Sequence, residues 1–303
     1  MNKLIQGTYA AIVTPRRLDG TIDEQNLHSW LTFLVEAGIQ GFAINGATGE
    51  FCLVTENEFR SLMETVADAL RGKVPFLAGV GAAGSTMAVR LGQIAHDAGA
   101  CGLLLPMPYF FPYSQDDLAS FCRSVAGQLD SPVLLYNLPQ FTSGLEPVTS
   151  HALIRECENI VGIKDSSGSL ATLRLLKEER PDACRIVGND GVLVQALQEG
   201  LADGVISGVA CVLPELIVRI LEAGTASEPT SELLALSSKL EMFIEQLDKL
   251  PTPWGIKLIA EARGLAQAAF PFPLSAHRQE QARELSEWFT RNGAMLGAGL
   301  VRA

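Results

Sequence analysis

Short apolar runs alternate with longer stretches of helical period along the first part of the chain. The runs are GTYAAIV at 7–13, GFAIN at 41–45, VPFLAGV at 74–80, CGLLLP at 101–106, SPVLLYN at 131–137, IVGIKD at 160–165, CRIVGND at 184–190 and GVISG at 204–208. Their near-continuous hydrophobicity suits strands buried on both faces, the condition of parallel sheets covered by helices. Between them, DEQNLHSWLTFLVEAG carries acidic residues early and glycine at its end, as a helix does. TENEFRSLMETVADALRG and STMAVRLGQIAHDAG each open on a hydroxyl residue able to cap a helix.

Eight strand–helix units predict an α/β fold, a (β/α)8 TIM barrel that carries the catalytic groups over residues 1–225. Residues 226–303 are helical in period, broken at PTPW (251–254) and FPFP (270–273), and are expected to form a helical extension packed on the barrel. A doubly wound open sheet is the alternative. It ordinarily binds its ligand through a glycine-rich turn after the first strand, and TPRRLDG at that place is not a GxGxxG.

Composition adds what the chain is not. With 48% hydrophobic residues among 303, a large core is available. The net charge of −11 disfavours nucleic acid and anionic membrane surfaces as partners, so an anionic substrate must be held by local groups. No run approaches the roughly 18 apolar residues of a membrane span, and the N-terminus lacks the pattern of a signal peptide, so a cytoplasmic location is expected. Six cysteines without a CxxC and four scattered histidines point to reduced thiols, with no metal and no cofactor.

In such barrels the chemistry gathers at the C-terminal ends of the strands. Side chains alternate along a strand, so in IVGIKD Gly162 and Lys164 share one face and Val161, Ile163 and Asp165 the other. If the bulkier pair faces the helices, Lys164 points into the barrel mouth. Tyr136 at the end of SPVLLYN is placed by the same count beside Leu134, so lysine and tyrosine converge across neighbouring strands. A lysine in an enclosed mouth loses hydration, which favours the neutral amine that attacks carbonyl carbon and forms a Schiff base. A phenol beside the imine can carry its protons. The plainer readings are a solvated lysine just past a strand end, paired with Asp165, and a structural aromatic. In NGATGEF (45–51), glycines flank Ala47 and Thr48, so backbone amides and the Thr48 hydroxyl can approach a carboxylate, or Thr48 simply caps a tight turn.

GATGE after the second strand, YNLP after the fifth and GIKDSSG at the sixth, in this order and spacing, resemble the dihydrodipicolinate synthase / N-acetylneuraminate lyase family. The likeness covers essentially the whole chain, the helical extension included. It implies a class I lysine Schiff-base lyase acting on pyruvate or another 2-oxo acid and an aldehyde, without metal, and a homo-oligomer, dimer or tetramer. Lys164 would form the imine, Tyr136 shuttle protons, and Thr48 with the amides beside Ala47 hold the carboxylate. Backbone groups at Gly188 and Ile206 would line the site.

Three departures from the synthase pattern matter. Ala47 stands where the first of two threonines is usual. Phe110, in PYF, stands where a neighbouring subunit's tyrosine completes the relay, with Tyr109 just before it. Phe141 lies in the substrate site where an arginine grips the second substrate's carboxylate. All three subtract from the synthase, whose product is 4-hydroxy-tetrahydrodipicolinate. They favour an aldolase acting on a 2-keto-3-deoxy sugar acid or related 2-oxo acid, with the synthase, a dehydratase using the same imine, and a non-catalytic binding barrel as alternatives. Ser166 and Ser167 either meet substrate hydroxyls or cap the next helix. Arg16 and Arg17 either hold a distal carboxylate or are surface residues.

Overall fold

The structure, a computed structural model, describes residues 3, 5–224 and 230–299. Eight strands close into a parallel barrel in sequence order: β1 Gly7–Ala11, β2 Gly41–Ile44, β3 Phe76–Gly79, β4 Gly102–Pro106, β5 Val133–Asn137, β6 Ile160–Asp165, β7 Cys184–Val187 and β8 Gly204–Ser207. Helices fill the connections: α1 Glu24–Glu36, α2 Glu56–Leu70, α3 Ser85–Asp97, α4 Gln115–Ala126, α5 Pro147–Glu156, α6 Ala171–Glu179, α7 Leu193–Gln198 and α8 Pro214–Ala223. Three more follow, α9 Ser231–Leu247, α10 Trp254–Ala262 and α11 Ala276–Leu296. The chain is therefore a (β/α)8 barrel with C-terminal helices, as the alternation predicts, and the open sheet is excluded by the pairing of β8 with β1. The expected boundary at 225/226 lies outside the described residues.

Strand parity divides the core in two. Tyr9, Ala11, Ala43, Leu77, Leu104, Leu134, Tyr136, Ile186 and Ile206 point inward and pack together inside the barrel. Their neighbours Ala10, Phe42, Ile44, Ala78, Leu103, Leu105, Leu135, Ile163 and Val205 point outward into the helix layer. Each large side chain so buried contributes about 1.5–3 kcal/mol, and a one-residue slip would turn every one of them to the wrong layer. At β3 the packing reaches the backbone: a Cβ on Gly79 would lie 2.1 Å from the Asn45 carbonyl oxygen, so only glycine fits there.

Helix ends follow the sequence with one correction. Asp23 caps α1, and Thr55 with Glu58 forms a capping box on α2. Ser85, expected to cap α3, is instead its first residue; Gly84 holds the cap position in extended conformation without a side-chain bond. Strands β4, β5 and β6 end with their apolar runs, whereas the others end earlier. β1 stops at Ala11 and β7 at Val187; beyond β7 the Gly188 amide still donates to the Asp165 carbonyl at 2.8 Å, and Asn189 then caps the short turn of helix Asp190–Val192.

Candidate active site

A cavity of about 390 Å³ opens at the C-terminal ends of the strands. Eight of the residues singled out from the sequence line it: Ala47, Thr48, Tyr136, Phe141, Lys164, Ser166, Gly188 and Ile206. Lys164 is in register with Tyr136 on β5 and Ile186 on β7, and lysine and tyrosine are each only 2% exposed. The ammonium nitrogen stands 4.0 Å from the Tyr136 ring centroid, over its electron-rich face. Lys164 is thus no solvated residue at a strand end. Asp165 points to the other face, where it accepts from Asn137 Nδ2 at 3.3 Å and the Ser167 amide at 2.9 Å.

The groups around the lysine explain its pose. A Cβ on Gly188 would lie 2.8 Å from Lys164 Cε and 2.2 Å from Ser166 Oγ, so the bare glycine leaves room for the lysine stem against β7. Ser166 does not cap α6, whose N-cap is Leu170. Its hydroxyl is buried beside the cavity with no partner, while its carbonyl accepts from Gln140 Nε2 at 2.9 Å. Ile206, fully buried, forms part of the base, and Phe141, 55% exposed, stands at the rim.

The turn after β2 brings Ala47 and Thr48 to the same cavity. Thr48 caps no helix, since Thr55 does that for α2. The left-handed backbone falls on Asn45 (φ 57°) and Glu50 (φ 56°) rather than on the glycines between them. The side chain of Asn45 compensates by donating to the Gly79 carbonyl at 2.9 Å, and the Thr14 hydroxyl donates to the Gly49 carbonyl at 2.9 Å.

Other candidates lie elsewhere. Arg16 pairs with Glu58 at 2.6 Å and Arg17 with Asp23 at 3.3 Å, and neither reaches the cavity. Phe110 is 86% exposed with a left-handed backbone (φ 86°), and its ring meets Phe111 edge-on; Tyr109 packs against Phe51. Neither Tyr109 nor Phe110 lines this chain's cavity.

Sequence reasoning missed part of the wall. Asn189 and Asp190, just beyond β7, line the cavity, and their place after a strand end was the available signal. Burial pushes the Asp190 carboxyl above its ordinary 3.8, against the opposing effects of the Ser207 hydroxyl, the Val209 amide and the Lys164 charge. Asp190 Oδ2 accepts from the Val209 amide at 3.3 Å, and Oδ1 is enclosed without a partner. Leu247 and Asp248 at the end of α9, and Gly255 and Ile256 of α10, complete the wall, so the C-terminal helices share in the site.

No cysteine among the described residues is in a disulfide, and burial pushes Cys101 up to about 11 and Cys122 and Cys211 to about 12, the range of unreactive core thiols. Among the described residues no group of three or more His, Cys, Asp or Glu side chains is placed to hold a metal ion. No described helix is long and apolar enough to cross a membrane.

Comparison with known proteins sets this geometry in a family. Residues 4–291 match the dihydrodipicolinate synthetase family. A 4-hydroxy-tetrahydrodipicolinate synthase of Cellvibrio japonicus is 34% identical over 280 residues, covering 90% of this chain and 93% of the relative. The dihydrodipicolinate synthase of Acinetobacter baumannii, solved in complex with pyruvate, superposes with a TM-score of 0.88 at 27% identity, over 95% of this chain and 99% of that one. YagE, a prophage protein of the same family from E. coli K12 also solved with pyruvate, gives a TM-score of 0.87 at 26% identity, over 95% and 98%. A match over nearly the whole chain, on a barrel with a buried lysine at its mouth, leaves one conclusion: the chain belongs to the dihydrodipicolinate synthetase family and is a class I Schiff-base lyase.

Proposed function

We propose that the protein is a cytoplasmic aldolase that makes or breaks a carbon–carbon bond next to a pyruvate-derived imine on Lys164, with a 2-keto-3-deoxy sugar acid or related 2-oxo acid as substrate. One observation carries the choice of substrate. Among the described residues, Lys164 is the sole cation lining the cavity, whose other polar groups include Thr48, Gln140, Ser166, Asn189, Asp190 and Asp248. Such a wall suits hydroxyl groups, which donate to carboxylates and amides, and repels a second anionic group. Phe141 at the rim offers no charge-assisted grip, a contact worth about 1.5–3 kcal/mol.

In the proposed reaction the unprotonated Lys164 amine adds to the 2-oxo carbon, the Tyr136 phenol gives its proton to the hydroxyl that leaves as water, and a protonated imine remains beside the phenolate, which is the acceptor for the next proton. Thr48 and the amides of its turn hold the adjacent carboxylate. In the cleavage direction a hydroxyl proton passes to Tyr136, the bond between C3 and C4 breaks, and its electron pair enters the imine to give an enamine and a free aldehyde. Protonation of the enamine at C3 and hydrolysis release pyruvate and restore the amine. Condensation runs the same steps in reverse, and the sequence calls for no added cofactor.

The second reading, a 4-hydroxy-tetrahydrodipicolinate synthase, is favoured by the name of the 34% identical relative. A dehydratase would use the same imine to expel hydroxide. The exposed Phe110 and Phe111 favour a homo-oligomer in which a second copy covers them, checked by sedimentation of the protein over a range of concentrations. Borohydride reduction in the presence of pyruvate, followed by peptide mass mapping, tests the core of the proposal: an adduct is expected on Lys164, and its absence there sinks the imine. Aldehydes then divide the alternatives. Faster condensation with polyhydroxylated aldehydes than with aspartate semialdehyde is expected, and the opposite order favours the synthase.

A further inference from the structure

Lys257 and Glu50 lie outside the reaction just described, yet both are charged and almost wholly buried, at 5% and 9% exposure. Lys257 Nζ donates to Glu50 Oε2 at 2.6 Å, reaching from α10 back to the turn after β2, and to the Ala269 carbonyl at 2.7 Å in the loop that follows α10. Glu50 ends that turn in a left-handed conformation (φ 56°, ψ 47°), two residues beyond Thr48. Its amide donates to the Ala47 carbonyl at 3.0 Å, so moving Glu50 moves the segment that holds Ala47 and Thr48. On the other side Lys257 directly follows Gly255 and Ile256, which form part of the cavity wall. The wall and the turn meet at Gly208, where an added Cβ would lie 3.2 Å from Ile256 Cδ1 and 3.5 Å from Thr48 Oγ1.

We propose that Lys257 and Glu50 are positioning residues: a buried ionic strut by which the C-terminal helices set the place of Thr48 and its amides, and so the affinity for the carboxylate of the 2-oxo acid. This rests on the reading of Thr48 as the carboxylate holder. Neither charge touches substrate. A buried pair of this kind contributes little net stability over an apolar pair of similar size, whereas it fixes geometry through its short, directional bonds. The strut joins segments 207 residues apart in sequence, and both of its ends adjoin cavity-lining residues.

The test measures the pyruvate concentration that half-saturates borohydride trapping on Lys164, together with KM and kcat for condensation and the thermal midpoint. Glu50→Gln keeps the shape and removes the charge, and the double variant Lys257→Met with Glu50→Met replaces the pair by apolar groups. Both are expected to fold, to need at least fivefold more pyruvate at half-saturation, and to keep kcat within about threefold once pyruvate is saturating. The double variant should recover most of the thermal stability lost in Lys257→Met while keeping the weakened pyruvate binding, a separation that a purely structural pair does not produce. Folded variants with wild-type half-saturation overturn the strut. Failure of the wild-type protein to trap pyruvate overturns the imine itself, so the two outcomes are told apart.

Discussion

Replacing Gly188 by alanine should disable Lys164 without touching it. Gly188 has an ordinary backbone conformation that alanine can adopt, so the perturbation is one methyl group in a filled space. That methyl would lie 2.8 Å from Lys164 Cε, 3.0 Å from Lys164 Cγ and 2.2 Å from Ser166 Oγ. Carbon atoms pack at about 3.5–4.0 Å, so the lysine stem must retreat by roughly 0.7–1.2 Å. The serine hydroxyl can rotate away; the lysine, with the Tyr136 ring centroid 4.0 Å from its nitrogen, has less freedom. A reacting group misplaced by about 1 Å can lose on the order of 100-fold in rate, equivalent to about 2.7 kcal/mol in the barrier. Overpacking should also lower stability by about 1–3 kcal/mol. The assay is the initial rate of borohydride-trapped adduct at saturating pyruvate, read beside the thermal midpoint. Gly208→Ala supplies the graded comparison, since its methyl would meet the flexible end of Ile256 at 3.2 Å, and a loss below tenfold is expected. A Gly188→Ala protein that traps pyruvate at the wild-type rate would refute the placement of the lysine stem.

Tyr136→Phe keeps the ring over Lys164 and removes only the hydroxyl, so turnover should fall about 10²–10⁴-fold with little change in thermal midpoint; steady-state kinetics showing kcat within threefold of wild type would count against Tyr136 as proton carrier. Asp190→Asn probes the raised carboxyl: the native state holds that proton more tightly than the unfolded chain, so this group's contribution is full below the ordinary 3.8 and is lost as pH rises toward the raised native value. The thermal midpoint of Asp190→Asn relative to wild type should therefore climb as pH rises through that window and then level off, and a difference that stays flat from about pH 4 to 8 contradicts the shift. Phe141→Arg places a cation at the rim and should raise kcat/KM for carboxylate-bearing aldehydes over neutral ones about tenfold or more, by adding a charge-assisted contact. An unchanged ratio means the substrate does not pass that side chain.

Much of the barrel was legible because its signal is local. IVGIKD is the strand β6 residue for residue, and its alternation, with the bulkier side chains turned to the helices, put Ile163 in the helix layer and Lys164 in the mouth; Val161, expected beside Ile163, packs on the inward cluster instead, where the register with β5 shifts past Val133. The overshoot at β7 has a physical cause: CRIVGND continues in composition past Val187, but after the Gly188 amide bonds the Asp165 carbonyl the chain turns at Asn189, and composition does not report hydrogen bonds. Ser85 suggests a cap because hydroxyl residues favour that position, whereas Gly84 already takes the extended conformation there. The wall made by Leu247, Asp248 and Ile256 was not legible. Helical period tells which side of a helix is apolar, not which distant turn it docks against. Lys257 and Glu50 were silent for the same reason, each looking like any charged residue in its own segment.

The inward layer of Tyr9, Ala43, Leu77, Leu104, Leu134 and Ile186, each at most 3% exposed, fills the barrel beneath Lys164. The cavity is therefore a blind well with one mouth, and depth becomes sequence in time. The molecule that bonds to the lysine must descend first, and whatever joins it rests above it and shuts it in. In the proposed cleavage, the aldehyde half would depart before the pyruvate half. For the proposed reaction such a well implies an order, last in and first out, set by a plug of hydrophobic side chains beneath the lysine.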